Sequence, residues 1–282
     1  MKAAVIGIGL IGGSFALSLK DNGLCSEVWG VDNSEANCKR ALELGLVDKI
    51  ATLDEIAPSD EIDLIVLATP VDTIPGLAVK VLNKVSDKQA VMDMGSVKVD
   101  LLEMIEQHSK RARFVATHPM WGTEFSGPEA AVKGAFTGRT VVICDKEQSD
   151  EKALELVKGV YEKIGMPIIY MSGEDQDMHS AYVSHISHIS SFALALTVLE
   201  KEREQEHIFD LAAGGFDSTV RLAKSSASMW TPIFMKNKYN VLDVLREHIH
   251  QLQILRRMLE KDDSEGLTKM IEKANLIKKI LK

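Results

Sequence analysis

The chain opens on a short apolar run, Ala3-Ala4-Val5-Ile6, followed by a helical pattern over 10–22 and a second apolar run from Val28 to Val31. Further short apolar runs stand near 63–68, 90–93, 113–117, 140–144 and 167–171, with helical segments between them. Short, continuously apolar strands alternating with helices predict a parallel sheet covered on both faces, an α/β architecture. Ligands of such sheets lie at the carboxyl ends of the strands. Three polar clusters fall at those ends: Thr69-Pro70-Val71-Asp72, Asp93-Met94-Gly95-Ser96 and Thr117-His118-Pro119. After Gly173 the pattern becomes helical almost to the end, which predicts an α/β domain over 1–168 and an all-α domain over 169–282. Gly214-Gly215 and Pro232 are expected to interrupt the second domain, giving about four or five helices. From Leu242 onward, Leu245, Ile249, Leu252, Leu255 and Leu259 recur at steps of three and four, marking one stripe expected to be buried. The stripe suits an intrachain core or a dimer seam. Because the helical domain is too small to enclose a site alone, a homodimer through it is the expectation.

Gly7, Gly9 and Gly12 stand as Gly-x-Gly-x-x-Gly directly after the first apolar run, and Asp32 closes the second, about twenty residues on. Between a strand and a helix, this spacing predicts a Rossmann-type dinucleotide site. The glycines let the chain turn tightly and approach a pyrophosphate, and the helix beginning at Leu10 and Ile11 offers its free N–H groups to the phosphates. A carboxylate at Asp32 accepts hydrogen bonds from ribose hydroxyls and repels a 2′-phosphate, so NAD is favoured over NADP. Lys39 and Arg40 lie further into the next helix and read as solvated charges.

Composition narrows the picture further. A chain of 282 residues suggests about two domains. A net charge of -8 argues against a nucleic-acid partner, which needs a basic face. Cys25, Cys38 and Cys144 show no metal or redox spacing, and an odd count suits a reducing, cytoplasmic setting. Lys2 and the apolar run to Leu19 imitate a signal peptide, but cleavage there would delete the first strand and helix of the nucleotide fold. No other run is expected to reach membrane-spanning length, so no membrane partner is expected.

Six residues stand out as candidates for chemistry or its surroundings. His118 ends a strand before a glycine-bearing loop, where imidazole can act as a base toward a reacting alcohol or simply cap the loop. Ser184, His185 and His188 can share one helix face. His-x-x-His suggests a metal, but no carboxylate stands at ligand spacing beside it, so no metal is expected and substrate hydrogen bonding is favoured. Arg221, flanked by apolar residues, needs either a structural carboxylate or an anionic ligand. Trp230 suits plain core.

Taken together, these stretches resemble the prephenate dehydrogenase family of tyrosine biosynthesis. The likeness is carried by Gly-Ile-Gly-Leu-Ile-Gly-Gly-Ser from Gly7, Asp93-Met94-Gly95-Ser96-Val97-Lys98, His118-Pro119-Met120-Trp121-Gly122-Thr123-Glu124, Ser184-His185-Ile186-Ser187-His188 and the segment from Arg221 to Trp230. The resemblance implies an NAD-binding domain, with Thr69, Pro70 and Ser96 added to the cofactor residues, followed by a helical domain that builds a dimer. It implies that His118 accepts the C4 hydroxyl proton of prephenate while hydride leaves C4 for NAD, with Ser96 holding hydroxyl and imidazole in register. Arg221 would pair with the ring carboxylate, Ser184, His185 and His188 would serve the substrate, and Thr123 and Trp230 would border the pocket. Two departures from the family pattern are Ser187, where relatives commonly carry proline and a helix kink, and Asp217-Ser218-Thr219-Val220 before Arg221, where an acidic group has moved by one position. Rival readings are arogenate dehydrogenase, a β-hydroxyacid-type dehydrogenase, and a non-catalytic NAD-sensing protein.

Overall fold

The computed structural model describes residues 1–205 and 207–280. The elements run β1 (Lys2–Ile6), α1 (Leu10–Asp21), β2 (Glu27–Val31), α2 (Glu35–Glu43), β3 (Lys49–Ile50), α3 (Leu53–Ile56), β4 (Leu64–Leu67), α4 (Ile74–Leu82), β5 (Ala90–Asp93), α5 (Val99–Ile105), β6 (Phe114–Pro119), β7 (Val141–Cys144), α6 (Glu151–Ile164) and β8 (Ile168–Met171). Helices follow: α7 (Gly173–Ser180), a π-helical turn (Ala181–His185), α8 (Ile186–Glu202), α9 (Gly214–Val220), α10 (Ala227–Lys236), α11 (Lys238–Glu260) and α12 (Ser264–Ala274).

One sheet carries all eight strands in the order β3-β2-β1-β4-β5-β6-β7-β8. Alternate residues of β1, β4 and β5 feed two cores, one on each face: Ala3, Val5, Leu64, Val66, Ala90 and Met92 on one side, Ala4, Ile6, Ile65, Leu67 and Val91 on the other. The strand order reverses between β1 and β4, and the crevice beyond their carboxyl ends is where such sheets bind ligands. The expectation of a wholly parallel sheet needs one correction, because β7 runs antiparallel to β6, with Pro119 opposite Val141. The only helical piece between them is the 3₁₀ turn Pro128–Ala130, so the chain returns alongside β6 instead of crossing a sheet face through a helix. β3, two residues long, was not expected.

The helices also differ from expectation. Pro232 lies inside α10 without ending it, and the helix stops about a turn later at Asn237. There are six α-helices from Gly173 onward among the described residues. The helical run Gly173–Glu202 contains a window of mean hydropathy 1.3 and is long and apolar enough to cross a membrane, which corrects the expectation that no such run lay beyond the N-terminus. Its buried residues nevertheless include Gln176, Asp177, Ser180, His185 and Ser191, while Val183, Leu196 and Leu199 are exposed. Compactness divides the chain after Asn237 into units 1–237 and 238–282. In the second unit α11 exposes Leu242, Ile249, Leu252 and Leu259.

Candidate active site

The glycine loop is shaped by contacts that forbid side chains at two of its three glycines. Gly7 has φ +90°, and a Cβ there would sit 2.6 Å from the Ala68 carbonyl oxygen; at Gly12 it would sit 1.9 Å from the Gly7 carbonyl oxygen. At Gly9 a Cβ would meet nothing within 4 Å, so the protein itself leaves that space open beside the N-terminus of α1, whose first residues are Leu10 and Ile11. An open approach to free helix N–H groups fits a pyrophosphate. At the end of β2, Asp32 accepts from Ile8 N–H at 3.0 Å and Ser34 N–H at 2.9 Å. These two bonds hold the carboxylate at the rim of the loop with acceptor capacity to spare for a ribose diol. Ser34 caps α2, and Arg40, expected to be solvated, pairs with Glu129 at 3.0 Å. Across the strand-order reversal, Thr69 and Pro70 follow β4, and the Thr73 hydroxyl donates to the Pro70 carbonyl at 2.7 Å while its oxygen lies 2.8 Å from Thr69 Oγ1. These groups fit a dinucleotide.

A buried ionic lattice places Ser96 and His118. Asp93, at the end of β5, accepts from Gly95 N–H at 2.9 Å and Thr117 N–H at 3.0 Å, and pairs with the fully buried Lys98 ammonium. Asp177 on α7 accepts from Lys98 N–H at 2.7 Å and Val99 N–H at 3.0 Å, capping α5. One carboxylate therefore ties the ends of β5 and β6 together, and the other ties α7 to the same loop. Losing one partner of the Lys98–Asp93 pair is expected to cost about 3–5 kcal/mol, because it strands a buried charge. Burial raises Asp177 to about 6, overcoming the Val99 and Lys98 N–H donors and the Lys98 charge, which act to lower it. The loop after His118 is pinned to α1, since Val132 N–H donates to Ser14 Oγ at 2.8 Å.

His118 is pushed down to about 3, chiefly by desolvation and further by the nearby Lys98 and His185. It is therefore a neutral imidazole at pH 7, able to accept a proton. Its Nδ1 lies 2.6 Å from Gln176 Nε2, and the same amide nitrogen reaches the Ser96 carbonyl at 3.2 Å. Gln176 thus links both residues, a connection with no signal in the sequence, where α7 reads Gly-Glu-Asp-Gln-Asp-Met-His-Ser and looks solvated.

Trp230 lies between the nucleotide loops and the helices, clustered with Val97, Ile233, Val71 and Phe192. His188 stacks on it at a centroid distance of 3.4 Å, and its Nδ1 bonds the Ser184 carbonyl at 3.1 Å. The π-helical turn ends at His185, so the two histidines approach Trp230 differently: His185 meets it edge-on, fully buried, with Nδ1 3.2 Å from the Asn237 amide. Burial pushes His185 down to about 4. At Ser187 the helix carries on, with the hydroxyl donating to the Val183 carbonyl at 3.3 Å. Arg221 is 55% exposed and pairs with Glu124 at 3.7 Å, the structural carboxylate of the two partners its sequence setting allowed. Its charge helps lower His188, after desolvation. Thr123 lies one residue before Glu124 and accepts from Phe125 N–H at 3.3 Å.

A glycine turn open to a pyrophosphate, a carboxylate held for a ribose diol, and a desolvated histidine at the end of β6 define a nicotinamide-dependent dehydrogenase. Residues 15–170 match the family model of the prephenate dehydrogenase nucleotide-binding domain, and 172–273 that of the prephenate dehydrogenase dimerization domain. The chain belongs to the prephenate dehydrogenase family. It is 31% identical to the prephenate dehydrogenase of Bacillus subtilis over 97% of this chain and 75% of the relative. The structure of the A. aeolicus prephenate dehydrogenase in complex with hydroxyphenyl propionate and NAD+ superposes with a TM-score of 0.90 at 30% identity, covering 100% of this chain and 98% of that one. The Synechocystis arogenate dehydrogenase follows at 0.79 and 26% identity, covering 99% of each.

Proposed function

We propose that the protein oxidatively decarboxylates prephenate to 4-hydroxyphenylpyruvate with NAD, the step that commits the ring to tyrosine. The observation that carries this reading is His118 near the carboxyl end of β6, with its Nδ1 held at 2.6 Å by Gln176 and its imidazole kept neutral by desolvation. Bound NAD supplies a hydride acceptor, cradled by Gly7, Gly9, Leu10, Ile11, Gly12, Asp32, Thr69 and Pro70. His118 accepts the C4 hydroxyl proton as the C4–H bond gives up its hydride and a ring carbonyl forms. The Ser96 hydroxyl orients that oxygen. The C1 carboxylate then leaves as carbon dioxide, its bonding electrons entering the ring, and the phenol oxygen regains a proton. Aromatisation makes the sequence effectively irreversible.

Arg221 holds the ring carboxylate by leaving Glu124, and its guanidinium fork matches that anion. Ser184 and His188 serve the side-chain end, Thr123 and Trp230 border the pocket, and His185 supports the wall through Trp230 and Asn237. Its burial suits that supporting role better than direct contact with substrate. The domains are assigned as 1–168 and 169–282, and the partner is a second copy joined through the helices, which covers the apolar faces of α8 and α11. The protein is assigned to the cytoplasm, acting with neither metal nor nucleic acid nor membrane.

The test is reduced-cofactor formation with prephenate and arogenate, each against NAD and NADP. Turnover of prephenate with NAD supports the reading. Turnover of arogenate alone moves the substrate and directs attention to Asp217, which here pairs with Lys224 at 2.9 Å. Silence in all four pairs, with NAD still bound, would falsify the dehydrogenase.

A further inference from the structure

Gln176 is 1% exposed, and its two amide ends stand in opposite circumstances. Nε2 has three polar neighbours: His118 Nδ1 at 2.6 Å, Ser180 Oγ at 2.7 Å and the Ser96 carbonyl at 3.2 Å. Oε1 is buried and has no partner. An amino group has two hydrogens to share among three neighbours, whereas a carbonyl oxygen accepts two bonds. In this orientation Nδ1 must accept from the amide, so the ring proton sits on Nε2. An imidazole protonated on Nε2 offers a base only through Nδ1, which Gln176 already occupies. With the amide turned this way, no lone pair of His118 is left for a substrate proton.

A half-turn of the amide reverses this. The oxygen and nitrogen ends are nearly equal in size, and the turn brings Oε1 to the place now held by Nε2. There it accepts from Nδ1–H and from the Ser180 hydroxyl. The turn gives up the contact to the Ser96 carbonyl, the longest of the three, and moves the amino group to the place where Oε1 now stands without a partner. The ring proton is then fixed on Nδ1, and Nε2 keeps its lone pair.

We propose that Gln176 is the positioning residue that sets the tautomer of His118, presenting its carbonyl oxygen to Nδ1 in the reacting protein. This rests on the reading of His118 as the base. Gln176 acts through the imidazole, in the place a carboxylate takes in hydrolase triads, but without a charge. A neutral partner suits the site: the charge acting on His118 is that of Lys98, already paired with Asp93 at the end of β5 and bonded through its N–H to Asp177 on α7, with His185 neutral in the π turn. A carboxylate at 176 would add a third negative charge to one buried cation.

The test is a long-range proton–nitrogen correlation spectrum of histidine-labelled full-length protein with NAD bound at neutral pH, with His118 assigned from a His118→Asn variant. Protonation on Nδ1 supports the proposal, and protonation on Nε2 overturns it. In Gln176→Leu the two tautomers should mix, and kcat should fall about tenfold or more with KM for prephenate and NAD affinity kept. In Gln176→Glu the carboxylate accepts Nδ1–H again, so kcat should recover and the acidic limb of the rate profile should move to higher pH. Unchanged kcat and profile in Gln176→Leu overturn the proposal. If that variant fails to fold, the wild-type spectrum still decides it. Full turnover in His118→Asn would sink the base assignment instead, while the spectrum reads Gln176 independently.

Discussion

The sheet and the helices after Gly173 satisfy themselves in different ways. Around the sheet, Phe15, Leu64, Leu67, Phe114 and Tyr161 are all wholly buried, and both faces of the central strands are closed by the chain itself. In α11, by contrast, Ile249, Leu252 and Leu259 are 44%, 51% and 63% exposed, although they stand at helical spacing. An apolar stripe is written to be covered; one region finds its cover in itself and the other leaves it to a second surface. The sequence period reports that a stripe exists and is silent about what covers it.

Charging the exposed stripe should separate the two regions most sharply. With Ile249→Glu and Leu252→Glu together, each protomer loses two apolar contacts worth about 1.5–3 kcal/mol apiece if they lie in the seam. The dimer should then dissociate by orders of magnitude in sedimentation, while NAD binding by the sheet persists. An undisturbed dimer would show that this stripe is not the seam.

Next in size is the base. His118→Asn should lower turnover on the order of 10²-fold or more with NAD affinity kept. Turnover within a few-fold of wild type would remove His118 from the mechanism. Arg221→Ala should act more gently and chiefly on KM, raising it by about tenfold or more through a lost charged hydrogen bond. A fall in kcat alone would contradict the carboxylate-anchor role and leave the Glu124 pair as its purpose.

The same comparison explains what was legible in the sequence. The glycine turn and Asp32 could be read because they stand at fixed spacing in one strand–turn–helix–strand run, although the atoms crowding Gly7 belong to Ala68 beyond β4. β3 was missed because two residues carry no period. The antiparallel β7 was missed because apolar runs look alike in either direction, although the stretch between Pro119 and Val141 lacks a helical pattern that a parallel return would favour. Arg221 was recognised as needing a partner, but Glu124 lies far away in sequence. Gln176, Asp177 and Asn237 were missed because polar residues on a short polar helix, or at a helix end, read as solvated unless packing is known. His185 and His188 read as a pair in the sequence, yet the π turn, which no residue pattern announces, gives them different surroundings.

Acid should find the joint between the two kinds of structure, and the sign can be worked out. His118 and His185 stand at about 3 and about 4 in the folded protein, below the ordinary histidine value of 6.5. Below that value the unfolded chain takes up protons that the folded chain refuses, so the stability these histidines contribute is lost as pH falls from 6.5 toward 4 and then 3. Asp177, raised to about 6 from an ordinary 3.8, works in the opposite sense: the folded chain binds its proton first, adding stability as pH falls from 6 toward 4. Two groups oppose one, so these three together make Tm fall between pH 7 and pH 5. His185→Asn keeps a polar side chain near Asn237 but removes one titrating ring, leaving His118 and Asp177 to offset each other. The variant's Tm should therefore decline less steeply than wild type over that interval, even if its Tm at pH 7 is lower. Equal slopes would mean that His185 is not held neutral by the fold, and that the acid-sensitive contacts lie elsewhere than between α7, the π turn and Asn237.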